Sequence, residues 1–219
     1  MARPRWIVGY LLALVVVAGF VRLGVWQLDR HGEKSDLRDA VEAGQAMPVV
    51  SIELADEGSF RRVLAIGEYD GSLQTRVLRS HEGASGFHVL TPLRMPGTGI
   101  LVDRGWIPLD AVVPAPPRGE VSVEGVLWPA EEGSSVPAEL PEVVRRIDPQ
   151  IAARFAAYPL RSDYLIFTGQ ADGFPTPADP PGIGLGPHLG YAGQWFLFAT
   201  VVAVGYPLLL RNRARGRVG

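Results

Sequence analysis

Cysteine is absent from the 219 residues, and its absence excludes several kinds of site at once. Without thiolates the chain forms no disulfide, no zinc–thiolate centre, no iron–sulfur cluster and no covalently attached c-type haem. Copper delivery through thiolate ligands is excluded as well. Lysine is nearly absent too, since Lys34 is the single lysine among 21 basic residues and arginine carries the rest of the positive charge.

Acidic residues are missing from both ends of the chain. All 23 lie between Asp29 and Asp179, whereas the first 28 residues carry three arginines and the last 29 carry four. The stretch 29–190 holds 14 basic and 23 acidic residues. An acidic middle argues against nucleic-acid binding, and basic ends favour a membrane protein whose termini stay in the cytoplasm.

The first long apolar run covers residues 6–26 and contains a single charge, Arg22. A helix of that length spans about 30 Å, which matches the hydrocarbon core of a bilayer. A cleaved signal peptide is the alternative, but the bulky residues at the end of the run do not form a cleavage site. We therefore expect a transmembrane helix over 6–28 and a cytoplasmic tail at 1–5.

The second apolar run covers residues 191–210, carries no charge and ends in an arginine-rich segment. A buried core helix is the alternative, which the length and the arginine stop disfavour. We expect a second transmembrane helix over 191–210 and a basic cytoplasmic tail at 211–219. The residues between the two spans, 29–190, would then lie outside the cytoplasm.

Short alternating β-type runs dominate the middle of the chain from about 48 to 170. Asp70-Gly71 and the segment 94–99 each separate two such runs and predict hairpins. Asp148-Pro149 predicts the start of one short helix. These patterns predict a mainly antiparallel, barrel-like β domain. A polar loop is expected at 129–142, and a stiff, exposed proline- and glycine-rich tether at 173–187.

Motifs of common enzymes are absent from the sequence. It contains no nucleophile elbow, phosphate-binding loop or dinucleotide fingerprint. Its four histidines are scattered, and no two of them have the spacing of metal ligands on one helix. We therefore expect no catalytic residues and no enzymatic activity.

Two histidines lie at the expected outer ends of the spans: His31 after the first and His188 before the second. A neutral imidazole there can ligate haem iron, and Arg22, Arg30 and Arg104 are candidates to pair with the propionates. An interfacial histidine bonded to backbone or headgroups is the alternative. The residues alone leave both open.

Amide and indole side chains also recur near the span ends. Gln27 follows Trp26, and Gln194 precedes Trp195. The two glutamines are candidates for a hydrogen bond between antiparallel helices, and the indoles for interfacial belts. In the β region, Arg104-Gly105-Trp106 suggests a sharp turn with an aromatic lid, or packing alone.

Five blocks in this order resemble the motifs of the Surfeit locus protein 1 family. They are Leu23-Gly24-Val25-Trp26-Gln27-Leu28-Asp29-Arg30 followed by Lys34, Gly67-Glu68-Tyr69, Gly86-Phe87-His88-Val89-Leu90-Thr91-Pro92-Leu93, Leu101-Val102-Asp103-Arg104-Gly105-Trp106-Ile107-Pro108, and His188-Leu189-Gly190-Tyr191-Ala192-Gly193-Gln194-Trp195-Phe196. The family usually has asparagine where this chain has Asp103.

The resemblance implies an assembly factor for an aa3-type haem–copper cytochrome c oxidase that holds or presents haem a to the catalytic subunit. By the same resemblance, His188 takes the position of the proposed haem ligand. The implied partners are oxidase subunits, haem a synthesis enzymes and the lipid bilayer. With its first span starting at residue 6, the chain is expected in a bacterial plasma membrane, with both termini cytoplasmic. A structural accessory subunit that binds no haem is the alternative.

Overall fold

The computed structural model describes residues 4–131, 133, 137–170 and 175–215. The outermost residues of both expected tails, part of the polar loop and the start of the tether lie outside this range. The chain forms two compact units: Met1–Asp39 together with Ile183–Gly219, and Ala40–Gly182. Each unit is described by itself.

Helix α1 extends over Pro4–Ala46 and is much longer than the expected span. The next proline after Pro4 is Pro48, and a proline disfavours helical conformation in the residue that precedes it. The β-rich domain was expected from residue 29 onward, but α1 continues to Ala46 because nothing in the polar continuation breaks the helix, and residues from Ala40 on belong to the second unit. Within the second unit Val41 is buried, and the backbone of Gly44 approaches that of Ser59 and Phe60.

Helix α3 extends over His188–Arg215 and contains Pro207. It begins three residues earlier than expected, because the Tyr191 amide already donates to the Pro187 carbonyl at 3.1 Å. Both α1 and α3 are long and apolar enough to cross a membrane.

Within the first unit α1 and α3 pack in antiparallel directions. Tyr10 contacts Tyr206, with ring centroids 5.4 Å apart, and Phe20 stacks on Trp195 at 5.6 Å. Residues later in α1 thus contact residues earlier in α3, as expected for two antiparallel helices. Gly24 permits this approach, since a Cβ there would lie 2.7 Å from the Phe196 ring.

The second unit contains eight strands and the short helix α2, Pro149–Ala153. The strands are β1 Val50–Ser51, β2 Arg62–Tyr69, β3 Thr75–His81, β4 Ala84–Met95, β5 Thr98–Pro108, β6 Glu120–Trp128, β7 Val143–Val144 and β8 Leu160–Phe167. Their order is β1-β2-β6-β8-β5-β4-β3-β7, and a further β2–β4 pairing closes a ring of five strands, β2-β6-β8-β5-β4.

This closed ring confirms the barrel-like domain with one short helix. Antiparallel pairs dominate, while β1–β2, β3–β7 and β5–β8 are parallel. Alternate side chains of β2 point inward, and its core residues Val63 and Ala65 pack against Leu93, Val102 and Leu165. The predicted α2 start is confirmed, because the Asp148 carboxylate accepts from the Gln150 amide at 3.0 Å.

One of the two predicted hairpins is wrong. Strands β4 and β5 form the expected hairpin with a tight turn at Pro96-Gly97. Strands β2 and β3 do not pair; both lie along the same edge of β4, where Tyr69 faces Leu93 and Thr75 faces Leu90. Between them Asp70, whose side chain accepts from the Ser72 amide, starts a 3₁₀ turn in place of the hairpin.

The tether is not simply exposed. Residues 175–181, here called the strap, follow the undescribed residues 171–174. Thr176 and Trp106 exchange two backbone hydrogen bonds of 2.8 Å, and Ala178 is buried. The prediction of an exposed tether is therefore corrected for this part: the strap is bound to the end of β5, a contact that composition could not reveal.

Candidate functional site

His188 lies at the first position of α3 and contacts α1 directly. Its Nδ1 lies 2.8 Å from Oε1 of Gln27. An amide oxygen only accepts hydrogen bonds, so Nδ1 carries the proton and donates. In the neutral ring the remaining nitrogen, Nε2, then keeps its lone pair. A metal-binding histidine has this arrangement when a carbonyl group fixes its tautomer.

Gly186 leaves space next to that lone pair. Its φ is +65°, and a Cβ at this position would lie 3.2 Å from Nε2 of His188. Both the backbone conformation and the close approach favour glycine. Gly186 thus places no side chain of its own against this edge of the imidazole.

His31 lies four residues after Gln27 on α1 and therefore on the same helix face. Its Nδ1 is buried, with no hydrogen-bond partner among the described residues. Their places at the outer ends of the two spans predict that His31 and His188 face each other, and this stays a prediction. The group to which His188 is hydrogen-bonded is Gln27.

The candidate arginines differ in their surroundings. Arg22 is exposed on a mainly apolar face of α1. Arg30 is paired with Glu33 at 2.6 Å and lies 5.9 Å from the centre of the Trp26 ring.

Arg104 is buried in the barrel unit, with 8% of its surface exposed. Its guanidinium donates to Gln74 at 3.0 Å and to the Pro114 carbonyl at 3.1 Å, and lies over the Tyr69 ring. Burial lowers the pKa of Arg104, and the neighbouring Tyr69 opposes that effect. These contacts give Arg104 a structural role in the barrel and disfavour its pairing with a propionate.

The expected contact of Gln27 with Gln194 is wrong. Gln194 is exposed, and Trp195 packs on Phe20, almost two turns before Trp26. Trp26 itself is 48% exposed. The register of the two helices therefore differs from the expected one. His188, the first residue of α3, lies opposite Gln27, and Trp195 lies opposite Phe20. Tyr191, which belongs to the same family block as Gln194 and Trp195, is exposed as well.

The structure also contains a polar pair on two neighbouring strands of the barrel. Nδ1 of His88 on β4 lies 2.7 Å from Oδ2 of Asp103 on β5, and Asp103 is 3% exposed. The other oxygen, Oδ1, accepts from the Gly105 amide. The predicted hairpin could have shown this pair, since it brings a histidine and an aspartate close together on adjacent strands.

A bulge in β5 aligns this pair. His88 faces Trp106, but Leu90 faces Asp103, so β5 has one extra residue there. Gly105 occupies the bulge with φ +116°, which explains the sharp turn expected at Arg104-Gly105-Trp106. Trp106 is largely buried and packs on His81 at 5.4 Å.

The described residues contain no group of three or more histidine, aspartate or glutamate side chains that could hold a metal ion. Haem differs from a bare ion, since its macrocycle supplies four nitrogen donors and the protein adds only axial ligands. Among the described residues, His188 is the candidate for a haem ligand, because its contact with Gln27 leaves Nε2 unprotonated in the neutral ring.

Two apolar helices of membrane-spanning length, one on each side of a closed β-barrel in the sequence, define a helix-flanked barrel protein. The sequence model of the SURF1 family, the family that the motifs resemble, matches residues 14–200. The chain therefore belongs to the SURF1 family, whose members are known in general as oxidase assembly factors.

Relatives agree over nearly the whole length. The chain is 29% identical to uncharacterised SURF1-like proteins of Mycobacterium tuberculosis and Mycobacterium bovis, an alignment that covers 99% of this chain and 88% of each relative. It is 26% identical to a SURF1-like protein of Rickettsia felis, over 92% of this chain and 96% of the relative.

Proposed function

We propose that this chain is a membrane-anchored assembly factor of an aa3-type haem–copper cytochrome c oxidase, and that it holds haem a as cargo and presents it to the catalytic subunit. Family membership supports the assembly role. The observation that carries the haem role is the 2.8 Å contact of His188 with Gln27, which leaves Nε2 as the ligating nitrogen.

The roles of the residues follow from their chemistry. Nε2 of His188 would ligate the haem iron, and Gln27 would hold the ring in the required tautomer. Arg22 lies five residues before Gln27, about 140° around α1, so it faces away from His188 and is not assigned to a propionate. The residues make and break no covalent bond, so the chain binds and releases rather than catalyses.

The proposed setting is a bacterial plasma membrane. Helices α1 and α3 cross the bilayer with both termini in the cytoplasm, and the barrel lies outside, where it docks on oxidase subunits. Enzymes of haem a synthesis would deliver the cargo. The apolar helices and the basic ends support this topology.

Absorption spectra of the full-length protein, purified from cells that make haem a, test the proposal. His188→Ala should lose most haem absorbance yet still insert and fold. Gln27→Leu should weaken haem binding by about tenfold or more, as loss of an outer-shell partner does. Gln194→Ala, an exposed amide on the same helix as His188, is the matched control and should keep the wild-type spectrum.

Full haem content in His188→Ala, or wild-type protein that never carries haem, would contradict the haem role. A structural accessory subunit would then be the better account of the same chain.

A further inference from the structure

A cavity in the barrel unit, separate from His188, has the features of a second binding site. Its volume is about 310 Å³, and it is closed on one side by strap residues Ala178, Asp179 and Pro181. The strands contribute Arg79 and His81 from β3, His88 from β4, Asp103 from β5 and Tyr164 from β8, and Glu131 follows β6.

Two side chains that line this cavity have unused hydrogen-bonding capacity. Nδ1 of His88 contacts Asp103, and in the neutral form of the ring Nε2 then carries the lone pair; Nε2 has no partner among the described residues. Tyr164 is almost fully buried, with 2% of its surface exposed, and its hydroxyl also has no partner within the described part of the chain. Both atoms can accept hydrogen bonds from a ligand.

Charge in the cavity is predominantly negative. Asp103, Glu131 and Asp179 carry three carboxylates, and the one arginine, Arg79, already donates to both oxygens of Glu131 at 2.6 and 2.7 Å. Asp179 is exposed and has no partner among the described residues. Burial raises the pKa of the Tyr164 hydroxyl, and the charges of Asp103 and Glu131 raise it further, which reflects the same negative field.

An anionic ligand would meet three carboxylates and an arginine that is already paired. The described residues contain no set of three side chains able to hold a metal ion. We propose that the cavity binds an organic cation, an ammonium or guanidinium group, which donates N–H bonds to Asp179, to Nε2 of His88 and to the Tyr164 hydroxyl. A basic side chain of a partner protein and a free amine both have this chemistry.

Titration of the full-length protein with N-acetyl-arginine amide tests the site, with nitrogen-labelled histidine as the nuclear magnetic resonance probe. The His88 signal, assigned with His88→Gln, should shift saturably. The neutral isostere N-acetyl-citrulline amide should bind at least about fivefold more weakly, because it lacks the charge. Asp179→Asn and Tyr164→Phe should each weaken arginine binding by about three- to tenfold.

Asp110→Asn, an exposed aspartate in the turn after β5, is the matched control and should bind like wild type. Butylguanidine, which has the same single charge but no peptide groups, distinguishes the sources: weaker binding than arginine amide indicates a protein side chain, and equal or tighter binding a free cation, with the cation site supported either way. Equal binding of citrulline and arginine amides, no saturable shift, or unchanged affinity in the folded Asp179→Asn and Tyr164→Phe variants would overturn the proposal.

Discussion

Gly105 is the residue whose conformation most affects the barrel unit. A Cβ there would collide with the Thr176 carbonyl, and its φ of +116° is unfavourable for any other residue. The bulge that it permits also places its own amide on Asp103. A single glycine thus joins the strap, the β5 bulge and the buried histidine–aspartate pair.

Gly105→Ala should lower the free energy of unfolding by about 3 kcal/mol, from backbone strain plus displacement of the strap. Gly83→Ala is the matched control, since Gly83 has φ +83° but no other atom within 4 Å of the place its new methyl group would take. It should cost only about 1 kcal/mol. Denaturant unfolding followed by tryptophan fluorescence measures both, and equal losses would contradict the role of Thr176.

Ionisation of Tyr69 lowers the stability of the folded state at alkaline pH. Burial raises the pKa of Tyr69 to about 12, and the nearby Arg104 acts in the opposite direction. Above the unfolded value of about 10 the unfolded state loses the phenolic proton while the folded state keeps it, so stability is intact below about pH 10 and falls as pH rises towards 12.

Tyr69→Phe should therefore lose less stability than wild type between about pH 10 and 11, by at most about 1 kcal/mol per pH unit. Equilibrium unfolding of both proteins across this range measures the difference. Parallel curves would show that the Tyr69 proton is not linked to folding.

Among the secondary-structure elements, the helix pair has the most specific register. Phe20 lies against Trp195, whereas Trp26 is six residues further along α1, about 9 Å of helix rise. Cysteines at 20 and 195 should be joined by a short thiol cross-linker in intact membranes, and the chain has no native cysteine to compete.

The pair at 26 and 195 is the control and should react poorly. Equally fast cross-linking of both pairs would show that the helices slide or adopt another register. The yield of cross-linked protein on a denaturing gel provides the measurement.

Predictability from sequence differed between elements for physical reasons. Both apolar helices, the β4–β5 hairpin and the α2 cap follow from local patterns and were predicted. The length of α1 was missed because its polar continuation loses the hydropathy signal without losing helix propensity. The β2–β3 error arose because Asp70 can start either a hairpin or a 3₁₀ turn, and long-range pairing with β4 decides between them.

In the candidate sites, too, local features could be predicted from the sequence, and contacts between distant segments could not. Position at a span end indicated His188, but its Gln27 contact depends on the register of two distant helices. The β4–β5 hairpin brings His88 and Asp103 onto neighbouring strands, but the bulge that sets the final register of their side chains was not predicted. Chemistry that depends on a register is not visible in spacing along one chain.

At the scale of the whole molecule, the charge distribution predicts the topology. The arginine-rich ends should be retained in the cytoplasm, and the residues between the spans should be exported. Reporter fusions at Gly58 and Gly219 should therefore report opposite sides of the membrane, with Gly219 inside. Activity of both reporters on one side would contradict a two-span arrangement.

The position of β8 in the ring affects how the barrel closes during synthesis of the chain. It is the last strand made, yet it lies between β6 and β5 in the ring. Roughly 40 residues separate the end of β6 from the end of β8, and a ribosome needs about two to eight seconds to add them. Throughout that interval the nascent barrel has two open edges that can aggregate, so it must remain unclosed, and in need of protection, until just before the final apolar helix is synthesised.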